Sequence, residues 1–123
     1  MSTTIAAPPT VTWDKDASTQ FVAIYRAQSR RHAHITYEVR QEHRTGALTC
    51  QCPAFTFRGQ CAHTRAVRAL WWRSWWASCD DAVLADAQRT YAQQDAEGTL
   101  SDEGAVALDT LTAELATRER VTA

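Results

Sequence analysis

No stretch of this chain approaches the roughly 20 consecutive apolar residues that a membrane-spanning helix needs, so a bilayer span is excluded. The segment from Met1 to Thr10 lacks a basic n-region and an apolar h-region. No secretory signal is therefore expected; a cytoplasmic, reducing location is, at the nucleoid if the source is bacterial. In such a compartment cysteines serve more often as ligands or catalysts than as disulfides. A phosphate loop of the form GxxxxGK[ST] is missing, which argues against a nucleotide-hydrolysing motor. Internal repeats and low-complexity tracts are missing too. Lysine is nearly absent, with Lys15 alone beside twelve arginines. That imbalance, with abundant alanine, reflects a GC-rich coding bias and not a mechanism.

What is present is an ordinary globular composition, 45% hydrophobic and 22% charged, in a chain of 123 residues. That length supports one modest core and a helical extension. The net charge of −1 hides a division. Residues 1–77 carry ten basic against four acidic side chains, a balance of +6. Residues 78–123 carry three basic against ten acidic, a balance of −7. A basic half can attract phosphate, or the two halves can simply neutralise each other as solvated faces.

The expected organisation is a flexible tail over 1–18, a metal-binding domain over 19–78 and an acidic helical extension over 79–123. Phe21 to Ala27 is rich in β-branched and aromatic residues and reads as a strand, with a helix as the alternative. Ile35, Tyr37 and Val39 alternate with Thr36, Glu38 and Arg40, the pattern of a half-buried strand. Thr45-Gly46 supplies a turn, so Ala47 to Cys52 returns as a hairpin partner, and Pro53 stops further pairing. Between Gly59 and Gly98 neither glycine nor proline occurs. A helix is predicted from near Cys61 past Trp76, a second from about Asp81 to Asp95 with an Asp cap, and a third from Ser101 to about Arg120. Val106, Leu108, Leu111 and Leu115 mark the apolar stripe of the third, with Leu108, Leu111 and Leu115 the best set. The fold class is α+β: a small antiparallel β-sheet carrying the metal ligands, followed by a helix and a C-terminal helical extension.

Three of the four cysteines crowd beside a histidine in the run Cys50-Gln51-Cys52-Pro53-Ala54-Phe55-Thr56-Phe57-Arg58-Gly59-Gln60-Cys61-Ala62-His63. Three thiols and one imidazole are a donor set for Zn2+ in a closed tetrahedron. Residues i and i+2 of a strand share a face, so Cys50 and Cys52 can aim at one ion. Cys61 and His63 fall at a helix start, where backbone amides help to hold thiolates ionised. Four protein ligands leave no open position for water, which disfavours a catalytic metal. A switching dithiol fits poorly, because CxC lacks the CxxC geometry that lowers a thiol pKa. Cys79 reads as a small helix residue, and His32, His34 and His43 as solvated residues flanking a strand.

The pattern CxC, eight residues, CxH, continued as Ala62-His63-Thr64-Arg65-Ala66 in the form CxHxxA, resembles a SWIM zinc finger. The resemblance covers about Tyr25 to Leu70 and leaves out the last fifty residues. It implies Cys50, Cys52, Cys61 and His63 as the ligands of one zinc ion. It also implies DNA binding or protein–protein contact, in settings that include DNA repair and recombination.

Arg30, Arg31, Arg40, Arg44, Arg58, Arg65 and Arg68 surround the finger and are the expected nucleic-acid contacts. DNA is the expected partner rather than RNA, and nothing indicates base-specific readout. Trp71, Trp72, Trp75 and Trp76 crowd one helix, with Trp71 and Trp75 on one face and Trp72 and Trp76 on another. Either the later helices cover them, or they offer an interface to a protein partner or a second copy. The function expected is a non-enzymatic nucleic-acid-binding accessory protein. A protein-interaction adaptor using the Trp-rich helix and the acidic helices is the alternative.

Overall fold

A computed structural model describes residues 10–29, 31, 32 and 34–122. The architecture is α+β, with a four-stranded antiparallel sheet and four helices. The chain divides into two compact units, Met1–Val67 and Arg68–Ala123. That division falls inside a helix, earlier than the boundary expected at residue 78. The cause is that the helix's last residues pack with the acidic helices.

In the first unit, β1 (Val11–Trp13), β2 (Val22–Gln28), β3 (Thr36–Glu42) and β4 (Leu48–Cys50) form a simple meander in the order β1-β2-β3-β4. Alternation along β2 and β3 sets the register, with Tyr25 opposite Val39 and Val39 opposite Cys50. Tyr25, Ala27, Val39 and Cys50 are buried on that face. Ile24, on the other face, is also buried. Its backbone bonds to the 14–18 turn, the N–H donating to Ser18 Oγ at 2.9 Å and the carbonyl accepting from Asp14 N–H at 2.8 Å.

Strand β1 corrects the expected tail over 1–18, for Val11 to Trp13 pair with Ala27 to Tyr25. Residues 1–9 of that tail lie outside the described residues. Arg26 ties the same turn to the sheet, its Nε donating to Asp14 Oδ2 at 3.0 Å and its Nη1 to Glu38 Oε1 at 3.3 Å.

A short helix, α1 (Pro53–Arg58), was not anticipated between the two ligand pairs. Its signals are local. Proline at the first helical position loses no needed donor, and Gly59 closes the helix at φ 71°, a left-handed conformation that glycine adopts without strain. The next helix, α2 (Ala62–Ser78), follows at once.

In the second unit, the remainder of α2 meets α3 (Asp81–Glu97) and α4 (Asp102–Thr122). The predicted punctuation holds. Asp80 Oδ1 accepts from Val83 N–H at 2.9 Å, Ser101 Oγ accepts from Gly104 N–H at 3.0 Å, and Gly98 ends α3 at φ 74°.

Trp76, Leu84, Ala107 and Leu111 are the buried centre, with Trp72, Ala87, Tyr91 and Leu115 against them. Ala107, not Leu108, stands on the core stripe of α4, because Ala107, Leu111 and Leu115 repeat every four residues. Arg118 of α4 closes the exposed end of α2, its Nη2 donating to the Trp76 and Cys79 carbonyls at 2.9 and 2.7 Å.

Candidate metal centre

Each of the four ligand candidates is set by a different local device. Cys50 ends β4 and inherits the inward face of Val39, its partner in the register. Cys52 stays extended at φ −72° and ψ 156° and is the N-cap of α1. Cys61 caps α2, its carbonyl accepting from Arg65 N–H at 3.1 Å and its Sγ from Thr64 N–H at 3.4 Å. His63 is the second residue of α2, and its ring approaches Tyr37 of β3 at a centroid distance of 5.1 Å. Sheet, connecting helix and second helix thereby bring their donors to one point.

The donor atoms of Cys50, Cys52, Cys61 and His63 all lie within 4.8 Å of one another. Cys50 Sγ and His63 Nδ1 are 3.8 Å apart. Tetrahedral zinc with bonds of about 2.3 Å to sulfur and 2.0–2.1 Å to nitrogen would set neighbouring donors roughly 3.5–3.8 Å apart. Closing the cluster onto one ion therefore takes a small inward movement. Cys50, Cys52 and His63 are buried and Cys61 is half-buried. The cluster is close enough to bind a metal ion, and its donors are those zinc prefers.

The thiols differ in their cost of ionisation. Burial pushes the Cys50 thiol up to about 12, with the neighbouring Cys61 and Cys52 charges adding to the rise. Burial also raises Cys61, but the Thr64 N–H and hydroxyl, together with Cys52 and Cys50, outweigh it and lower the pKa. A cation is what makes a buried Cys50 thiolate affordable.

The predicted arginines separate into engaged and available ones. Arg30 lies outside the described residues. Arg68 lies in the second unit and is engaged by Glu103, its Nε 3.7 Å from Oε2. Arg40 leans its Nε on Glu38 Oε2 at 3.5 Å while its side chain stays mostly exposed. Arg31, Arg44, Arg58 and Arg65 are exposed, and among the described residues their side chains have no acidic partner. Arg44, Arg58 and Arg65 lie in a stretch without aspartate or glutamate between Glu42 and Asp80, so they have no acidic neighbour close in sequence. Arg31 and His32 share a cleft of about 400 Å³ with Cys52, Cys61 and His63.

Of the four helix tryptophans, Trp76 is core and Trp72 is partly buried against it, so for these two the later helices supply the cover. Trp76 is 3% exposed and donates its Nε1–H to the Ala107 carbonyl and Thr110 Oγ1, both at 3.1 Å. Trp72 stacks on Trp76 at 5.2 Å and donates to Glu103 Oε1 at 2.8 Å. Trp71 is half-buried, and Trp75 is 58% exposed. Sequence reasoning passed over Thr64 and Tyr37, which hold Cys61 and His63. A hydroxyl three residues after a helix-capping ligand was the only available signal for Thr64.

No family model matches the chain, and no curated protein or solved structure matches it either. No helix among the described residues is long and apolar enough to cross a membrane.

Proposed function

We propose that this chain is a zinc module of the SWIM type, acting without catalysis as a nucleic-acid-binding accessory protein with DNA as its partner. Cys50, Cys52, Cys61 and His63 would hold one Zn2+, whose chemistry here is structural cross-linking and charge compensation of thiolates. The ligand spacing CxC, eight residues, CxHxxA supports the family, and through it a role in repair or recombination. The observation that carries DNA binding is the set of uncompensated guanidinium groups, Arg31, Arg44, Arg58 and Arg65, in the unit that holds the cluster. Unpaired surface arginines gain by displacing counterions from phosphate, and that gain shrinks as salt rises.

The test is DNA affinity of the metal-loaded protein at 50 and 200 mM salt, with Arg58→Ala/Arg65→Ala as the comparison. Wild type should lose affinity steeply with salt, and the double variant should bind more weakly with a shallower slope. Binding that is absent at 50 mM salt, or indifferent to salt, would reject DNA as the partner. The adaptor reading keeps one supporting feature, the exposed Trp75 ring. It would be favoured by that rejection together with weakened protein association in Trp75→Ala.

A further inference from the structure

Away from the metal cluster, the open end of the sheet carries a second cleft, of about 830 Å³, lined by Gln20, Phe21, Val22, Arg40, Glu42, His43, Arg44, Ala47 and Thr49. Phe21 is 69% exposed at its rim. The backbone that carries this ring is held from both sides. Phe21 N–H donates to Thr19 Oγ1 at 3.1 Å, and the Phe21 carbonyl accepts from His43 N–H at 2.9 Å. The ring is thus displayed on a fixed support, which lowers the ordering cost of anything that stacks on it.

The charged groups facing this cleft are Arg40 and Arg44 against Glu42. Arg40 leans its Nε on Glu38 Oε2 at 3.5 Å, which orients the guanidinium, and its side chain stays 58% exposed. Arg44 has no acidic partner among the described residues. Thr49 and Gln20 add neutral polar groups.

An aromatic face beside two guanidinium groups matches a nucleotide whose base is unstacked and whose flanking phosphates are exposed. Duplex DNA fits it badly, because paired bases present only edges and no free face for a ring. We infer that this cleft binds single-stranded DNA, with a base stacked on Phe21 and the backbone phosphates at Arg40 and Arg44. The inference rests on the nucleic-acid reading above and adds a site and a strandedness to it. The arginines tested for that reading, Arg58 and Arg65, do not line this cleft.

The experiment is fluorescence anisotropy of the zinc-loaded full chain with a labelled 15-mer of thymidine and with a duplex of equal length at 50 mM salt. Wild type should bind the single strand more tightly than the duplex. Phe21→Ala should weaken single-strand binding about tenfold, Phe21→Trp should retain it, and Arg40→Ala/Arg44→Ala should weaken it by at least as much as Phe21→Ala. Thermal melts of each variant establish that the exposed substitutions leave the fold intact.

Wild-type affinity in Phe21→Ala, beside loss in Arg58→Ala/Arg65→Ala, would overturn this cleft while keeping DNA as the partner. Equal or tighter duplex binding would also overturn it. Failure of the wild type to bind either oligonucleotide would overturn both readings.

Discussion

The two units of this chain hold themselves together by different means. The sheet unit buries Ile24, Tyr25, Val39 and Val67, but β1 and β4 are three residues each and α1 buries nothing. What concentrates there is polar, namely three thiols and an imidazole drawn to one point. The helical unit has no comparable cluster among the described residues. It relies on Trp76, Leu84, Ala107 and Leu111, with indole N–H groups paired to Glu103, Ala107 and Thr110. The sheet is small, with two three-residue strands flanking β2 and β3, so a metal cross-link at the cluster would add substantially to what its core supplies.

The largest effect expected from that contrast is unit-selective unfolding on metal loss. Apparent metal-binding energies for structural zinc are about 10–16 kcal/mol near neutral pH, more than an entire small domain's stability. Chelation, or Cys61→Ser, should remove the cooperative unfolding of the sheet unit. The helical signal of α3 and α4 in circular dichroism should persist. Amide exchange resolved by residue would locate the loss. Protected β2 and β3 amides in chelator would show that the sheet does not depend on the cluster, and the contrast between the units would collapse.

Next in size is the corresponding injury to the helical unit. Trp76→Ala removes a buried ring, its stack with Trp72 and its edge contact with Tyr91 at 6.4 Å. Large aromatic truncations in cores cost about 3–5 kcal/mol. The helical unit should lose most of its stability while metal uptake by the Cys50–His63 cluster stays as in wild type. Trp75→Ala, at an exposed position on the same helix, should change the melt little. Equal damage from both would mean that the ring contacts of Trp76 are not what holds these helices.

The units were also unequally legible in sequence. Metal donors are rare residue types at fixed spacing, so Cys50, Cys52, Cys61 and His63 could be read with no knowledge of the sheet. Helix limits were readable where chemistry marks them, as at Asp80, Gly98 and Ser101. Burial on α4 was harder, because Ala107 and Leu108 are both apolar and only the packing of α3 against α4 selects between them. The same limitation hid the fate of Trp72 and Trp76, whose pairing with Glu103 and Thr110 joins residues 31 and 34 positions apart. Strand β1 was missed because three residues carry almost no periodicity, and its evidence lies in β2. The Arg68–Glu103 pair was hidden for a related reason, since a lone arginine in a basic run gives no sign of an acidic partner on α4.

The smallest expected effect concerns the polar clasp that joins the 14–18 turn to the sheet. Asp14 accepts from Ala17 N–H at 3.1 Å and from Arg26 Nε at 3.0 Å. The Ala17 N–H first, and Arg26 second, hold its carboxyl below the ordinary value of 3.8. Because the folded pKa lies below the unfolded one, the ionised group stabilises the fold fully above about pH 4. That contribution disappears as pH falls through the lower folded value. Asp14→Asn should therefore melt slightly lower than wild type at pH 7, and the gap should narrow as the solution is acidified below 4. Acid also protonates the metal ligands, but it does so in both proteins alike, so the difference between their midpoints isolates the carboxylate. A gap that is constant down to pH 3, or that widens, would mean that the Asp14–Arg26 contact does not help to hold the turn, and that the sheet unit depends on its metal cluster more completely than the paired charges imply.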